Sequence, residues 1–236
     1  MNSKKIDSQD LYQEYANKSF LYYQGDRAEI LPYIPKNSNC ILDVGCSCGG
    51  FGELLKSKGF PEVWGVEIFE PAASIAAEKL DQVICGSFES SLQLPINKFD
   101  CITFNDVLEH IVDPFEALRY CHNLLTSEGV VVACIPNVRH FYTIWELVVD
   151  GDWQYKEGGV LDKTHLRFFT RKSILSTFSD LGYSIEKIQG INPVHSRKFS
   201  LLNFLTLRRI EDMRYQQFIV VARPSKDNVV VSLDRK

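Results

Sequence analysis

Hydrophobic residues along this chain gather into short continuous runs separated by amphipathic stretches. "CILDVG" (40–45), "EVWGVEI" (62–68), "QVICG" (82–86), "FDCITFN" (99–105) and "GVVVACI" (129–135) are such runs. They do not alternate with polar residues, which predicts strands buried on both faces, as in a parallel sheet. Between them lie "FGELLKSKG", "PAASIAAEKL" and "DPFEALRYCHNLLTSEG", which read as helices. The last opens with Asp113 as N-cap, Pro114 at the first helical position and Glu116 at the third. Its apolar stripe reads Phe115, Leu118, Cys121 and Leu125, and Gly129 follows its end.

The pattern changes after residue 170. "TRKSILSTFSDLG" reads as a helix with Thr170 as N-cap and Gly182 as its stop. "YSIEKIQGI" (183–191) and "QQFIVVARP" (216–224) read as two strands, separated by a helix-like "SLLNFLTLRRIEDM" (200–213) and pairing antiparallel. Strand–helix alternation closed by such a pair predicts an α/β class: a Rossmann-like, doubly wound sandwich. Its seven-stranded sheet is mainly parallel, with an antiparallel last strand. The expected organisation is one domain over 1–236, with a helical lid over 1–35 and a substrate-facing insertion over 136–170.

Composition narrows the class. The 236 residues are 45% hydrophobic and 24% charged, enough for one self-supporting core. A net charge of −4 without a basic block argues against nucleic acid as a partner. The polar opening "MNSKKIDSQDLYQEY" lacks the apolar stretch of a signal peptide, so a cytoplasmic location is expected. No apolar run reaches the roughly 18 residues of a membrane span. Seven scattered cysteines, an odd count, give no disulfide framework. Cys46 and Cys48 form C-x-C without a second pair at zinc spacing, and no metal ligand set emerges.

"DVGCSCGGFG" falls at the first strand-to-helix turn, where an open α/β sheet binds ligands. Glycines allow close backbone approach, and the helix start offers free N–H groups. A dinucleotide fingerprint needs glycine where Ser47 stands, which disfavours a nicotinamide-dependent oxidoreductase. A phosphate loop needs a lysine at its end, and none comes before Lys56. What remains is Asp43, Gly45 and Gly49 in D-x-G-x-x-x-G. The acid would repel a pyrophosphate and suits a ligand carrying an amino group. Glu67, at the end of the second run, can accept both hydroxyl protons of a ribose.

In their order, "ILDVGCSCGGFG", "VWGVEI", "VICGSFE" and "FDCITFNDVLEHIVDP" resemble the class I S-adenosylmethionine-dependent methyltransferases. "GVLDKTHLRFFT" (159–170) resembles a bacterial subgroup found with sugar, polysaccharide or secondary-metabolite biosynthesis. The resemblance implies S-adenosylmethionine as cofactor and S-adenosylhomocysteine as product. It places Gly45, Cys46 and Gly49 beside the methionyl moiety, Asp43 near its amino group, Glu67 on the ribose and Ile68 against adenine. Ser87, followed by Phe88, stands where the family often has an aspartate facing the adenine amine. Asn105 and Asp106 end the fourth strand, where methionyl chain and acceptor meet. Tyr22 and Arg27, with Tyr23, would belong to a lid over the cofactor, or to a helix packing its aromatics on the sheet. A non-catalytic cofactor-binding scaffold is the other reading of the same motifs.

Methyl transfer to a hydroxyl needs alignment and proton removal, a task that suits histidine. His165, in the dense "LDKTHLRFF", is the first candidate base, with a loop strut braced by an Asp162–Arg167 ion pair as the alternative. His110, just after the fourth strand, is the second, with pocket-shaping as the alternative. His140 opens the insertion on the expected cleft side, His122 reads as surface, and His195 stays unplaced. Arg167 could bind a substrate phosphate or carboxylate. Tyr142 and Trp153, with Trp145 and Tyr155, could stack on a flat or sugar-like acceptor, or serve as core or homodimer contacts. The reading is metal-independent O-methylation of a small-molecule or sugar-like acceptor.

Overall fold

The computed structural model describes residues 25–225. Continuous apolar runs become the strands of one sheet, ordered β3-β2-β1-β4-β5-β7-β6. These are β1 (Cys40–Val44), β2 (Glu62–Glu67), β3 (Gln82–Cys85), β4 (Phe99–Asn105), β5 (Leu125–Pro136), β6 (Tyr183–Pro193) and β7 (Tyr215–Pro224). β1 pairs in parallel with β2 and β4, β2 with β3, and β4 with β5. β7 runs antiparallel to β5 and β6, so six strands point one way and the last in the chain points the other.

Helices cover both faces: α1 (Gly50–Ser57), α2 (Glu70–Ala76), α3 (Pro114–Leu124), α4 (Phe141–Trp145), α5 (Arg171–Asp180) and α6 (Arg197–Leu205). Successive strand residues point to opposite faces, which builds two apolar layers. Leu42, Val44, Ile102 and Phe104 pack with Leu118, Cys121, Ile174 and Phe178 of α3 and α5. Ile41, Val63, Cys101 and Val132 pack with Phe51, Leu55 and Ala76 of α1 and α2. The expected caps form. Asp113 accepts from the Glu116 N–H at 2.9 Å, and Thr170 and Ser173 cap each other reciprocally. Gly182 takes φ 81° just beyond α5, a conformation that favours glycine.

Three local readings change. Phe115 is exposed, and the inner face of α3 is Pro114, Ala117, Leu118, Cys121 and Leu124. The helix stops at Leu124 because Leu125 already pairs with Phe99 in the sheet. The helix expected over 200–213 runs over Arg197–Leu205. Leu207 and Arg208 then turn left-handed (φ 52° and 61°), and a short 3-10 turn, Glu211–Arg214, leads into β7. His122 is half-buried rather than on the surface, with Nε2 2.9 Å from the Leu181 carbonyl oxygen. All seven cysteines are free thiols, six of them buried. Among the described residues no helix is long and apolar enough to cross a membrane. Tyr22 and Tyr23 of the expected lid lie outside the described residues.

Candidate active site

A cleft of about 700 Å³ opens at the carboxyl ends of β1, β2 and β4. Its floor is the β1–α1 turn. The Gly45 and Cys46 N–H groups both donate to the Val66 carbonyl, at 2.7 and 3.1 Å, which holds the turn against β2. Gly45 sits at φ 70°, and a Cβ there would come 2.5 Å from a Val107 methyl. Cys46 is buried, with its thiol where a Cβ on Gly65 would have to go, and burial pushes the thiol up. The C-x-C pair thus packs the turn. Gly49 caps α1 at φ 77° and does not line the cleft, unlike Gly45 and Cys46.

Asp43 and Glu67 stand at the ends of adjacent strands and both line the cleft. Asp43 accepts from the Thr103 hydroxyl at 2.7 Å and from Asn105 Nδ2 at 3.4 Å. Burial pushes its carboxyl up to about 7 against the Thr103 bond, and nearby Glu67 adds to the rise. A buried carboxyl so placed ionises when a cation arrives beside it. Glu67 accepts from the Phe69 and Ser47 N–H groups, each at 2.9 Å. Burial raises its carboxyl, the two N–H groups act against that, and the side chain is held in one orientation. Ile68, Ser87 and Phe88 continue the wall, with Phe88 edge-on to Phe104 at 5.5 Å.

On the other side, Asp106 takes φ 57° and binds the Arg27 guanidinium and Gln217 Nε2, the latter at 2.6 Å. Burial opposes the Arg27 charge, and Asp106 together with Cys134 and Glu29 more than offsets it, so its basicity rises. Among the described residues, two cleft-lining polar atoms are buried with no hydrogen-bond partner: Arg27 Nη2 and Asn105 Oδ1. A donor bearing positive charge and a bare carbonyl oxygen, close to Asp43, match the carboxylate and ammonium of an amino-acid moiety. With Glu67 for a ribose, the residues present fit S-adenosylmethionine.

The histidines separate. Among the described residues, His110 is the one that lines the cleft. Its Nδ1 lies 3.1 Å from both the carbonyl and the hydroxyl oxygen of Thr164, which fixes the ring. His165 sits behind it, ring centroids 4.7 Å apart, with Nδ1 on the Val160 carbonyl at 3.1 Å. Glu109 is buried, its carboxyl raised well above the usual range by burial first and by Asp106 second. Ligand atoms of Glu109, His110 and His165 lie within 4.8 Å of one another, so the trio could hold a cation if Glu109 ionised. The remaining sequence candidates stand apart. His140 caps α4 away from the cleft, and burial lowers its pKa. His195 is exposed. Arg167 is exposed and donates to the Leu166 and Val112 carbonyls, and Asp162 accepts from Thr164 in place of the expected pair with Arg167. Tyr142 is half-exposed beside His140, and Trp153 stacks edge-on to Phe168 at 5.8 Å, neither in the cleft wall. Gln217 and Glu109 escaped the sequence reading, because nothing local marks them.

Comparison with known proteins agrees with this geometry. The family model described as "Methyltransferase domain" matches residues 12–188. A ubiquinone biosynthesis O-methyltransferase of Pseudomonas paraeruginosa is 29% identical over 175 residues, covering 69% of this chain and 72% of that protein. A solved S-adenosylmethionine-dependent methyltransferase from Archaeoglobus fulgidus superposes with TM-score 0.60 at 22% identity, covering 92% of this chain and 99% of that one. The [4+2]-cyclase SpnF shares the fold at TM-score 0.55 and 18% identity, covering 79% of this chain and 74% of that one, so fold alone does not fix chemistry. The family match spans most of the chain, the cleft fits the cofactor, and this chain belongs to the methyltransferase-domain family as an S-adenosylmethionine-dependent methyltransferase.

Proposed function

We propose that the enzyme methylates a hydroxyl oxygen of a small-molecule acceptor and that His110 takes the proton. The observation that carries this reading is His110, the one histidine in the cleft wall among the described residues, with its ring held at Nδ1 by Thr164. S-adenosylmethionine supplies a methyl group already activated by its sulfonium. Arg27 and Asn105 hold the methionyl carboxylate and ammonium, Asp43 balances the ammonium charge, and Glu67 holds the ribose. His165 packs behind His110 and positions it rather than touching the acceptor.

The rest of the lining describes the acceptor. Glu89, Ser90, Ser91, Asp113 and Glu116 bring hydroxyls and acids to the cleft. Such a wall hydrogen-bonds hydroxylated molecules, sugar-like ones included, and repels phosphorylated or otherwise anionic ones. Arg167, with its guanidinium on two carbonyls, braces the rim at Val112. The O-methyltransferase name of the relatives supports oxygen as the atom modified.

The test compares His110→Ala with His165→Ala on hydroxylated acceptors. Loss of the base should lower kcat by roughly 10²–10⁴-fold in His110→Ala, while S-adenosylhomocysteine affinity stays near wild type. His165→Ala should cost less and shift the pH profile. Wild-type turnover in His110→Ala would remove the assigned role.

A further inference from the structure

Helix α6 is inverted relative to an ordinary surface helix. Its buried residues are Phe199 and Asn203, and Asn203 Nδ2 binds Glu211. Its outward residues after the first turn are apolar: Leu201 is 60% exposed, Phe204 76% and Leu205 65%, and Leu207 just beyond is 81% exposed. The neighbouring turn Glu146–Asp150, which continues α4, adds exposed Leu147, Val148 and Val149. α4, which leads into that turn, is joined to α6 by Phe141 on Phe199, centroids 5.3 Å apart, and by the Lys198 ammonium 5.1 Å over the Trp145 ring. Single exposed apolar residues are ordinary, but a concentration of this kind marks an interaction surface.

Charge selects the occupant. Residues 197–209, "RKFSLLNFLTLRR", carry four cations and no acid, in a chain whose net charge is −4. Arg197, Lys198, Arg208 and Arg209 are all exposed and sit at the two ends of the apolar face. Of the acids around this face, Glu211 is turned to Arg214 at 2.8 Å and Glu146 to Lys156 at 3.0 Å, while Asp150 at the end of the turn is exposed. Apolar residues flanked by cations suit an anionic lipid surface, with cations on lipid headgroups and aliphatic groups below them. A second copy of this chain is the poorer match. With cations at both ends of the helix, like charges meet whichever way two copies pair.

We propose that α6, with the Glu146–Asp150 turn, docks this enzyme onto an anionic lipid bilayer. The topology gives the contact a direction. α6 joins the end of β6 to the start of β7, and Gln217 of β7 pairs with Pro136 at the carboxyl end of β5. That is the end of the sheet at which the cleft opens, so a bound membrane lies on the loading side of the active site. The proposal adds a location to the methyltransferase reading and does not depend on it.

Flotation of the full chain with vesicles tests it, with S-adenosylhomocysteine affinity as the check on folding. Vesicles of phosphatidylcholine mixed with phosphatidylglycerol should carry the protein upward, those of phosphatidylcholine alone should carry much less, and added salt should release it. The pair Phe204→Ser and Leu205→Ser should lower the partition coefficient at least about tenfold, and each of Arg208→Gln and Arg209→Gln about fivefold, all with unchanged cofactor affinity. Absence of flotation, equal binding to both vesicle types, or binding undiminished in these variants would overturn the proposal. So would a wild-type dimer in sedimentation velocity that Phe204→Ser dissociates, since the face would then join two copies.

Discussion

Replacing Gly45 by alanine probes the turn that shapes the cofactor cleft. The backbone there has φ 70°, and a Cβ would come 2.5 Å from Val107 Cγ2 and 3.4 Å from Cγ1. The left-handed conformation costs a non-glycine residue about 1–2 kcal/mol. The overlap, which must push Val107 aside, costs about 1–3 kcal/mol more. Gly45→Ala should therefore lose roughly 2–5 kcal/mol, lowering the melting temperature by roughly 5–15 °C for a chain of this size. The two contributions separate in a double-mutant cycle with Val107→Ala. Shortening Val107 removes the overlap but leaves the backbone cost, so the pair should couple favourably by about 1–2 kcal/mol. Gly45 and Val107 both line the cleft, so Gly45→Ala should also bind S-adenosylhomocysteine about tenfold more weakly, a change of roughly 1.4 kcal/mol. Denaturant unfolding of the four proteins, with calorimetric titration of each, reads both effects. Unchanged stability in Gly45→Ala, or strict additivity in the cycle, would refute the packing argument.

Other perturbations bear on the cofactor groups. Asp43 has a folded pKa raised from 3.8 to about 7 by burial, so its contribution to apo-protein stability is present below the lower value and is lost as pH rises through about 7. S-adenosylhomocysteine brings an ammonium that favours the ionised acid, so its affinity should strengthen as pH rises through that value and flatten in Asp43→Asn. A flat profile in the wild type would remove Asp43 from that role. Glu67→Gln puts an amide NH2 against the Ser47 or Phe69 N–H, leaving a buried donor unpaired at a cost of about 1–3 kcal/mol. Cofactor affinity and melting temperature should both fall, and retention of both would show that Glu67 does not organise the turn. If His110 takes the proton as proposed, turnover should survive EDTA. Loss restored by Mg²⁺ or Zn²⁺ would place a cation among Glu109, His110 and His165 instead.

The sheet was legible because parallel strands buried on both faces leave unbroken apolar runs. Residues 99–105 became β4 with unchanged bounds, and Asp113 and Thr170 capped the helices they were expected to start. The cleft-lining residues were legible for a related reason: Asp43, Gly45 and Glu67 lie at strand ends whose order the topology dictates. What escaped depends on contacts between distant segments. Gln217 reaches Asp106 only because β7 inserts between β5 and β6, and no local pattern announces that. His165 stood out through the density of charge around it. In the structure the Asp162 carboxylate accepts from Thr164, the His165 ring rests on the Val160 carbonyl, and among the described residues the histidine in the cleft wall is His110. Phe115 fitted a helical stripe, yet lies on the exposed side of α3, whose inner face begins at Pro114.

The most direct test of the central claim is parallel calorimetric titration of the protein with S-adenosylmethionine, S-adenosylhomocysteine and NADH. The account predicts micromolar, one-to-one binding of the first two, abolished when Arg27 and Glu67 are both replaced, and no heat from NADH. Binding of NADH alone, or adenosyl-ligand affinity unchanged in the double variant, would contradict the assignment of this cleft.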